Sequence, residues 1–399
     1  MSETIGQERA IKARNGLFAA FAINGFAFAT WMSRIPDVKD ALNVTPGQLS
    51  LLLLSISVGA LTSLPLAGRI CNKIGAKNTV RLGMAFFVPG VLWAAAAVTF
   101  STSLYLAIPG LFLVGLGNGS WDVAQNVEGT IVERGVGRAI MPWFHAAFSG
   151  GTVLGALIGA GIVALRVPII THIAVVAVIV VAVTIWGTST FLSQSGEPVD
   201  GAHDEGAGSR GQGSAWLEPR TLLIGLMVLA AAFAEGTAND WMAVAFVDGH
   251  GVDNAMGVVG LAVFLAFMTL GRILGTQLLD NYGRVIVLRI MFGLSLIGCL
   301  MVVYGNTWLA FIGAAIWGVG ASLGFPVGMS AAADDPARAP LRISVVSTIG
   351  YGAFLGGPPL LGFLGDHIGV LNALLAVGAI SVVALFVVPA AKEPELPAL

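Results

Sequence analysis

Between Ser193 and Pro219 the chain reads SQSGEPVDGAHDEGAGSRGQGSAWLEP. This stretch is rich in Gly, Ser and acids and has no apolar periodicity, which is the composition of a flexible linker. Its surroundings make it decisive. On both sides lie long apolar runs such as IAVVAVIVVAV at 173–183. A helix needs about 20 apolar residues to cross the hydrocarbon of a bilayer. Six such runs precede the linker, at 16–33, 48–68, 79–98, 104–127, 141–165 and 168–192. Six follow it, at 220–246, 255–278, 285–304, 308–330, 341–364 and 369–389. The runs are apolar all round. A membrane barrel would instead show strands of about 10 residues with alternating polarity. The expected fold is an all-α membrane protein of twelve transmembrane helices in two six-helix bundles. The expected boundaries are an N-terminus at 1–15, a first bundle at 16–192, the linker at 193–219, a second bundle at 220–390 and a tail at 391–399.

Composition agrees. Of the 399 residues, 56% are hydrophobic and 11% charged, against about 25% charged in a soluble domain. The 20 basic and 22 acidic residues are too few to coat soluble domains of this total length. A net charge of −2 leaves no basic surface for nucleic acid. Two cysteines make neither a disulfide framework nor a metal cluster. The phosphate-binding Gly-x-x-x-x-Gly-Lys-Ser/Thr of an ATP-driven pump is absent. The chain reads as a non-enzyme that needs no cofactor and draws on an ion or solute gradient.

Basic residues orient the chain, because cytoplasmic segments hold the excess of Lys and Arg. With both termini inside, 16 of the 20 basic residues fall on the cytoplasmic side, and only Arg34, Lys39 and Arg166 on the other. Arg272 alone lies within a span. The expected place is the cytoplasmic (inner) membrane, crossed many times.

The two halves repeat each other. Thr30-Trp31-Met32 returns as Asp240-Trp241-Met242, and Gly115-Leu116-Gly117 as Gly318-Val319-Gly320. Phe148-Ser149-Gly150-Gly151 returns as Phe354-Leu355-Gly356-Gly357. Asn72-Lys73-Ile74-Gly75 returns as Asp280-Asn281-Tyr282-Gly283. Parallel repeats of this kind point to alternating access in a secondary transporter.

The segment Gly68-Arg69-Ile70-Cys71-Asn72-Lys73-Ile74-Gly75-Ala76-Lys77 resembles the loop signature Gly-x-x-x-Asp-Arg-x-Gly-Arg-Lys of the major facilitator superfamily. Asp280 through Arg284 resembles its second copy. The resemblance covers the whole chain and implies two pseudo-symmetric bundles, a monomer, and a solute and protons as partners within the lipid bilayer. Asn72 replaces the family's Asp, so the inner lock between halves is expected only from Asp280 and Arg284. Gly271-Arg272-Ile273-Leu274-Gly275 and Asp122-Val123-Ala124-Gln125-Asn126 resemble motifs of fucose permease-like sugar–proton symporters and of bacterial inner-membrane relatives near them. That likeness implies a proton-coupling role for the acid Asp122.

Ionisable groups inside a bilayer are costly and normally face a cavity or a partner. Asn118, Asp122, Gln125 and Asn126 share one helical face; Glu128 lies off it and nearer the inner surface. Glu235 and Asn239 share a face of the seventh span. Asp122 and Glu235 are the expected proton carriers, with His145 and Glu128 as possible relays. Asn24, Asn118, Gln125, Asn126, Asn239 and Tyr351 are expected to bind solute hydroxyls, and Trp31 and Trp121 to stack on a sugar ring. Arg34 with Asp240 or Glu235 reads as an external gate, and Arg272 as a cation paired with Asp122. The expected cargo is a small sugar-like solute; the alternative is a proton-coupled exporter of drugs or metabolites.

Overall fold

The computed structural model describes residues 7–137, 140–192, 214–335 and 338–393; most of the linker lies outside them. The chain forms two compact units, Met1–Ala202 and His203–Leu399. Among the described residues all regular structure is helical.

In the first unit, α1 (Gln7–Met32) is followed by the short α2 (Ile35–Leu42). α3 (Pro46–Ala96) opens on a capping box. The Thr45 hydroxyl accepts from the Gln48 backbone N–H, and the Gln48 side chain accepts from the Thr45 N–H. This satisfies two amides that a helix start leaves unpaired. α3 has 51 residues, and at about 1.5 Å per residue it is more than twice as long as the ~30 Å hydrocarbon. It bends at Gly75, where φ is 78° and ψ 160°. That conformation is essentially restricted to glycine. α4 (Leu104–Val136) runs back along both limbs of α3, α5 (Met141–Ala164) packs on α1, and α6 (Ile169–Ser189) packs on α1 and α3.

The second unit repeats the plan. α7 (Pro219–His250) leads to α8 (Asn254–Tyr304), again 51 residues long and bent at a glycine, Gly283, with φ 73° and ψ 163°. α9 (Thr307–Ala321) and α10 (Gly324–Ala332) follow. α11 (Ala339–Ile368) packs on α7, and α12 (Val370–Ala373) and α13 (Leu375–Val387) close the unit.

Nine helical segments among the described residues are long and apolar enough to cross a membrane. The twelve runs read from sequence become nine for a physical reason. Residues 46–101 and 254–304 are each continuous across their bend, and α11 does not reach the apolar measure.

The repeated Gly-x-Gly has the same work in both units. A Cβ on Gly115 would strike the Ile56 carbonyl on the first limb of α3, and one on Gly117 the Gly83 carbonyl on the second. A Cβ on Gly318 would strike the Phe264 carbonyl of α8, and one on Gly320 the backbone at Ser295. Each glycine thus lets one limb of the bent helix approach backbone to backbone.

Candidate functional site

The intramembrane charges sort by helix face. Glu235 and Asp240 are five residues apart on α7, about 140° around a helix of 3.6 residues per turn, and so face different neighbours. Glu235 faces α8. Its Oε1 and Oε2 accept from Arg272 Nη2 at 2.9 and 2.8 Å. Arg272 Nε also donates to the Ser322 carbonyl just after α9, at 3.4 Å. Arg272 therefore takes an acid of its own unit, Glu235, where the sequence pointed to Asp122. The pairing is set by which faces of α7 and α8 meet. Asp240 faces α11 and makes no ion pair or hydrogen bond with any described residue.

In the first unit the polar stripe of α4 converges on one carboxylate. Asp122 Oδ1 accepts from Gln125 Nε2 at 3.1 Å and from Asn126 Nδ2 at 3.3 Å, and Asn126 Nδ2 also donates to the Asp122 carbonyl at 2.9 Å. The His145 ring, near the start of α5, lies within electrostatic reach of this carboxylate. Gln125 is fully buried, and its Oε1 and the Asn118 Oδ1 have no hydrogen-bond partner among the described residues. Glu128 is also fully buried and accepts from the Leu192 backbone N–H after α6. Trp121 is packed away with its ring edge-on to Phe87 of α3, centroids 6.5 Å apart.

On α1, Asn24 and Trp31 share a face at i, i+7. Both are buried, and neither the Asn24 amide nor the Trp31 Nε1 has a partner among the described residues. Arg34 is buried at the turn between α1 and α2 and pairs with Asp37 at 3.1 Å, three residues on, and with the Val167 carbonyl at 2.7 Å. This local acid stands in place of the Asp240 or Glu235 expected from sequence. Tyr351 and Phe354 of α11 are ring neighbours at 6.3 Å. Asn239 is half-buried on α7.

At the other end of the second unit, sequence reading missed a charge network. Asp334 is bridged by Arg220 Nη2 at 2.6 Å and Arg284 Nη1 at 2.7 Å. It thereby ties the start of α7 to the bend in α8. Glu218 receives Arg338 and Arg342, each at 2.7 Å, and the Thr221 hydroxyl at 2.8 Å. Burial pushes the Glu218 carboxyl up, but these hydrogen bonds and charges outweigh it and hold its pKa below the ordinary value. Asp280, expected to work with Arg284, is exposed and forms no ion pair among the described residues. Of the two acids, Glu218 caps the start of α7 and Asp334 sits in the segment between α10 and α11, whose Asp334-Asp335 pair was the available signal.

Comparison with known proteins matches the family description Major Facilitator Superfamily over residues 17–280 and 224–398. A transporter of Sinorhizobium fredii, y4wD, itself uncharacterised, is 33% identical over 381 residues, covering 95% of this chain and 98% of its own. Among solved structures, the nucleoside transporter NupG superposes with a TM-score of 0.70 at 14% identity, covering 96% of this chain and 98% of its own. A variant of the E. coli fucose:proton symporter FucP gives 0.66 at 16% identity, covering 98% and 100%. At such identities the likeness is one of fold. The apolar helices and bacterial relatives make the chain a multi-pass inner-membrane protein that transports rather than catalyses. This chain belongs to the major facilitator superfamily.

Proposed function

We propose that the chain is a secondary active transporter that moves a small polar, sugar-like solute by alternating access, coupled to protons and without any other cofactor. In this reading the bent α3 and α8 each cross the membrane twice. With α11 that makes twelve spans, six in 16–192 and six in 220–390. The linker and both termini are cytoplasmic, as the distribution of Lys and Arg argues, and the unit of function is a monomer.

The observation that carries the proposal is the Glu235–Arg272 pair, held by 2.8 and 2.9 Å contacts inside apolar helices. A proton on Glu235 removes the charge that balances Arg272. The guanidinium is then free for another acceptor, such as a solute oxygen, so proton and solute occupancy become linked. Asp122, with Gln125, Asn126 and His145 around it, is the second acid that can take up a proton. Proteins of this fold include a fucose:proton symporter and a nucleoside transporter. The amides of Asn24, Asn118, Gln125, Asn126 and Asn239 and the Tyr351 hydroxyl suit hydroxylated solutes of that kind. Trp31 supplies ring surface, whereas Trp121 packs inside its own unit, and Arg34, Asp240, Arg272, Asp280 and Arg284 serve gating. One proton crossing about 100 mV yields about 2.3 kcal/mol, enough for roughly 50-fold accumulation.

Counterflow in proteoliposomes with a panel of sugars, with and without a pH gradient, tests the proposal. A sugar that evokes proton uptake supports it. Proton release evoked by drugs would favour the exporter.

A further inference from the structure

The two units differ where their repeats would make them alike. In the first unit α1 and α5 touch backbone to backbone. A Cβ on Gly25 would strike the Phe148 carbonyl, and one on Gly151 the Ala22 carbonyl. Between the corresponding helices of the second unit, side chains intervene. The Phe354 ring lies over Gly236, 3.3 Å from where a Cβ would stand, and the Phe233 ring over Gly357, at 3.7 Å. These rings stand between α7 and α11 and border a small groove.

The groove is lined by Phe233, Trp241 and Phe354, with Pro358, and by Thr237 and Asp240. Thr237 and Trp241 are 3% and 1% exposed, and neither the Thr237 hydroxyl nor the Trp241 Nε1 has a hydrogen-bond partner among the described residues. Asp240 likewise has no ion-pair partner there. A carboxylate in an apolar setting without a counter-charge is unfavourable unless a cation or a proton joins it. Aromatic rings beside a carboxylate favour an organic cation, whose charge their faces attract. The enclosed space, about 10 Å³, admits one group no larger than a water molecule, so an ammonium head would enter it and the ring that bears it would stay outside.

We infer that the groove between α7 and α11 binds the ammonium group of an amine-bearing solute, with Asp240 as its counter-ion, Thr237 as hydrogen-bond partner and Phe233, Trp241 and Phe354 as its aromatic walls. This rests on the transport reading above and narrows it: the sugar-like cargo carries an amine. Asp240, expected from sequence as a gate residue, is then the group that selects the substrate class.

The test is equilibrium binding to the full-length protein in detergent near neutral pH, followed by calorimetry and by tryptophan fluorescence. The probes are glucosamine with glucose, and galactosamine with galactose. Each amine is expected to bind about tenfold or more tightly than its parent sugar, and Asp240→Asn to abolish that preference. Thr237→Val, a milder change, is expected to weaken amine binding several-fold. Equal binding of amine and parent by the wild type overturns the inference whether or not the variants fold. So does absence of amine binding, or a preference that survives in a folded Asp240→Asn protein, which would leave Asp240 a proton carrier only. The transport reading fails separately. Amines bound by way of Asp240 but moved by no proteoliposome would refute transport and leave the groove assignment intact. Neutral sugars moved without amine preference would do the reverse.

Discussion

Glu235 on α7 offers both carboxylate oxygens to one nitrogen of Arg272 on α8, at 2.9 and 2.8 Å. The two side chains are 22% and 31% exposed, enclosed enough for either charge to suffer without the other. The pair is thus both a structural clasp and a place where a single proton changes the local charge.

Thermal unfolding of single and double variants measures the clasp. Glu235→Gln leaves Arg272 unpaired and is expected to cost about 1–3 kcal/mol. Arg272→Gln costs a similar amount. The double variant is expected to be more stable than the sum of the two losses implies, with a coupling of about 0.5–3 kcal/mol. Simple additivity would mean that the contact contributes nothing to stability.

Asp334 and Asp280 should behave oppositely. Asp334 is nearly buried and joins Arg220 to Arg284. Asp334→Asn should lower stability by about 1–3 kcal/mol and loosen the start of α7, seen as faster amide exchange around Arg220. Asp280 is exposed and forms no ion pair among the described residues, so Asp280→Asn should change stability by less than about 0.5 kcal/mol. A larger effect at Asp280 than at Asp334 would contradict this assignment.

Glu218 gives a pH signature. Its carboxyl is held below the ordinary glutamate value of 4.5 despite burial, through Thr221, Arg342 and Arg338. The folded protein therefore binds this proton less readily than the unfolded chain. The resulting stability is present above the ordinary value and is lost as pH falls through the depressed one. Wild type should be more stable than Glu218→Gln near neutral pH, and the difference should shrink below about pH 4.5. A difference constant across that range would exclude the linkage.

Apolar run length and the linker composition make the helical plan legible in the chain, and Gly115/Gly117 with Gly318/Gly320 announce the repeat that packs α4 on α3 and α9 on α8. Asp122, Gln125 and Asn126 are also legible, because neighbours one turn apart on one helix meet by geometry alone. The partner of Arg272 is not. It depends on which faces of α7 and α8 meet, and sequence spacing within one helix carries no such information. The same holds for Asp334, which gathers arginines from helices 50 and 114 residues away. The groove on Asp240 was hidden for a subtler reason. Phe354 reads as a repeat of Phe148, yet its ring, not its backbone, fills the place opposite the glycine.

In the proposed cycle the proton that moves with the sugar is carried by Glu235. Proteoliposomes holding wild type or Glu235→Gln are given a transported sugar, and external pH is recorded alongside sugar uptake. Wild type should take up protons with the sugar and accumulate it against its gradient. Glu235→Gln should exchange the sugar but neither move protons nor accumulate it. Proton uptake and accumulation equal to wild type in Glu235→Gln would show that Glu235 does not carry the coupled proton.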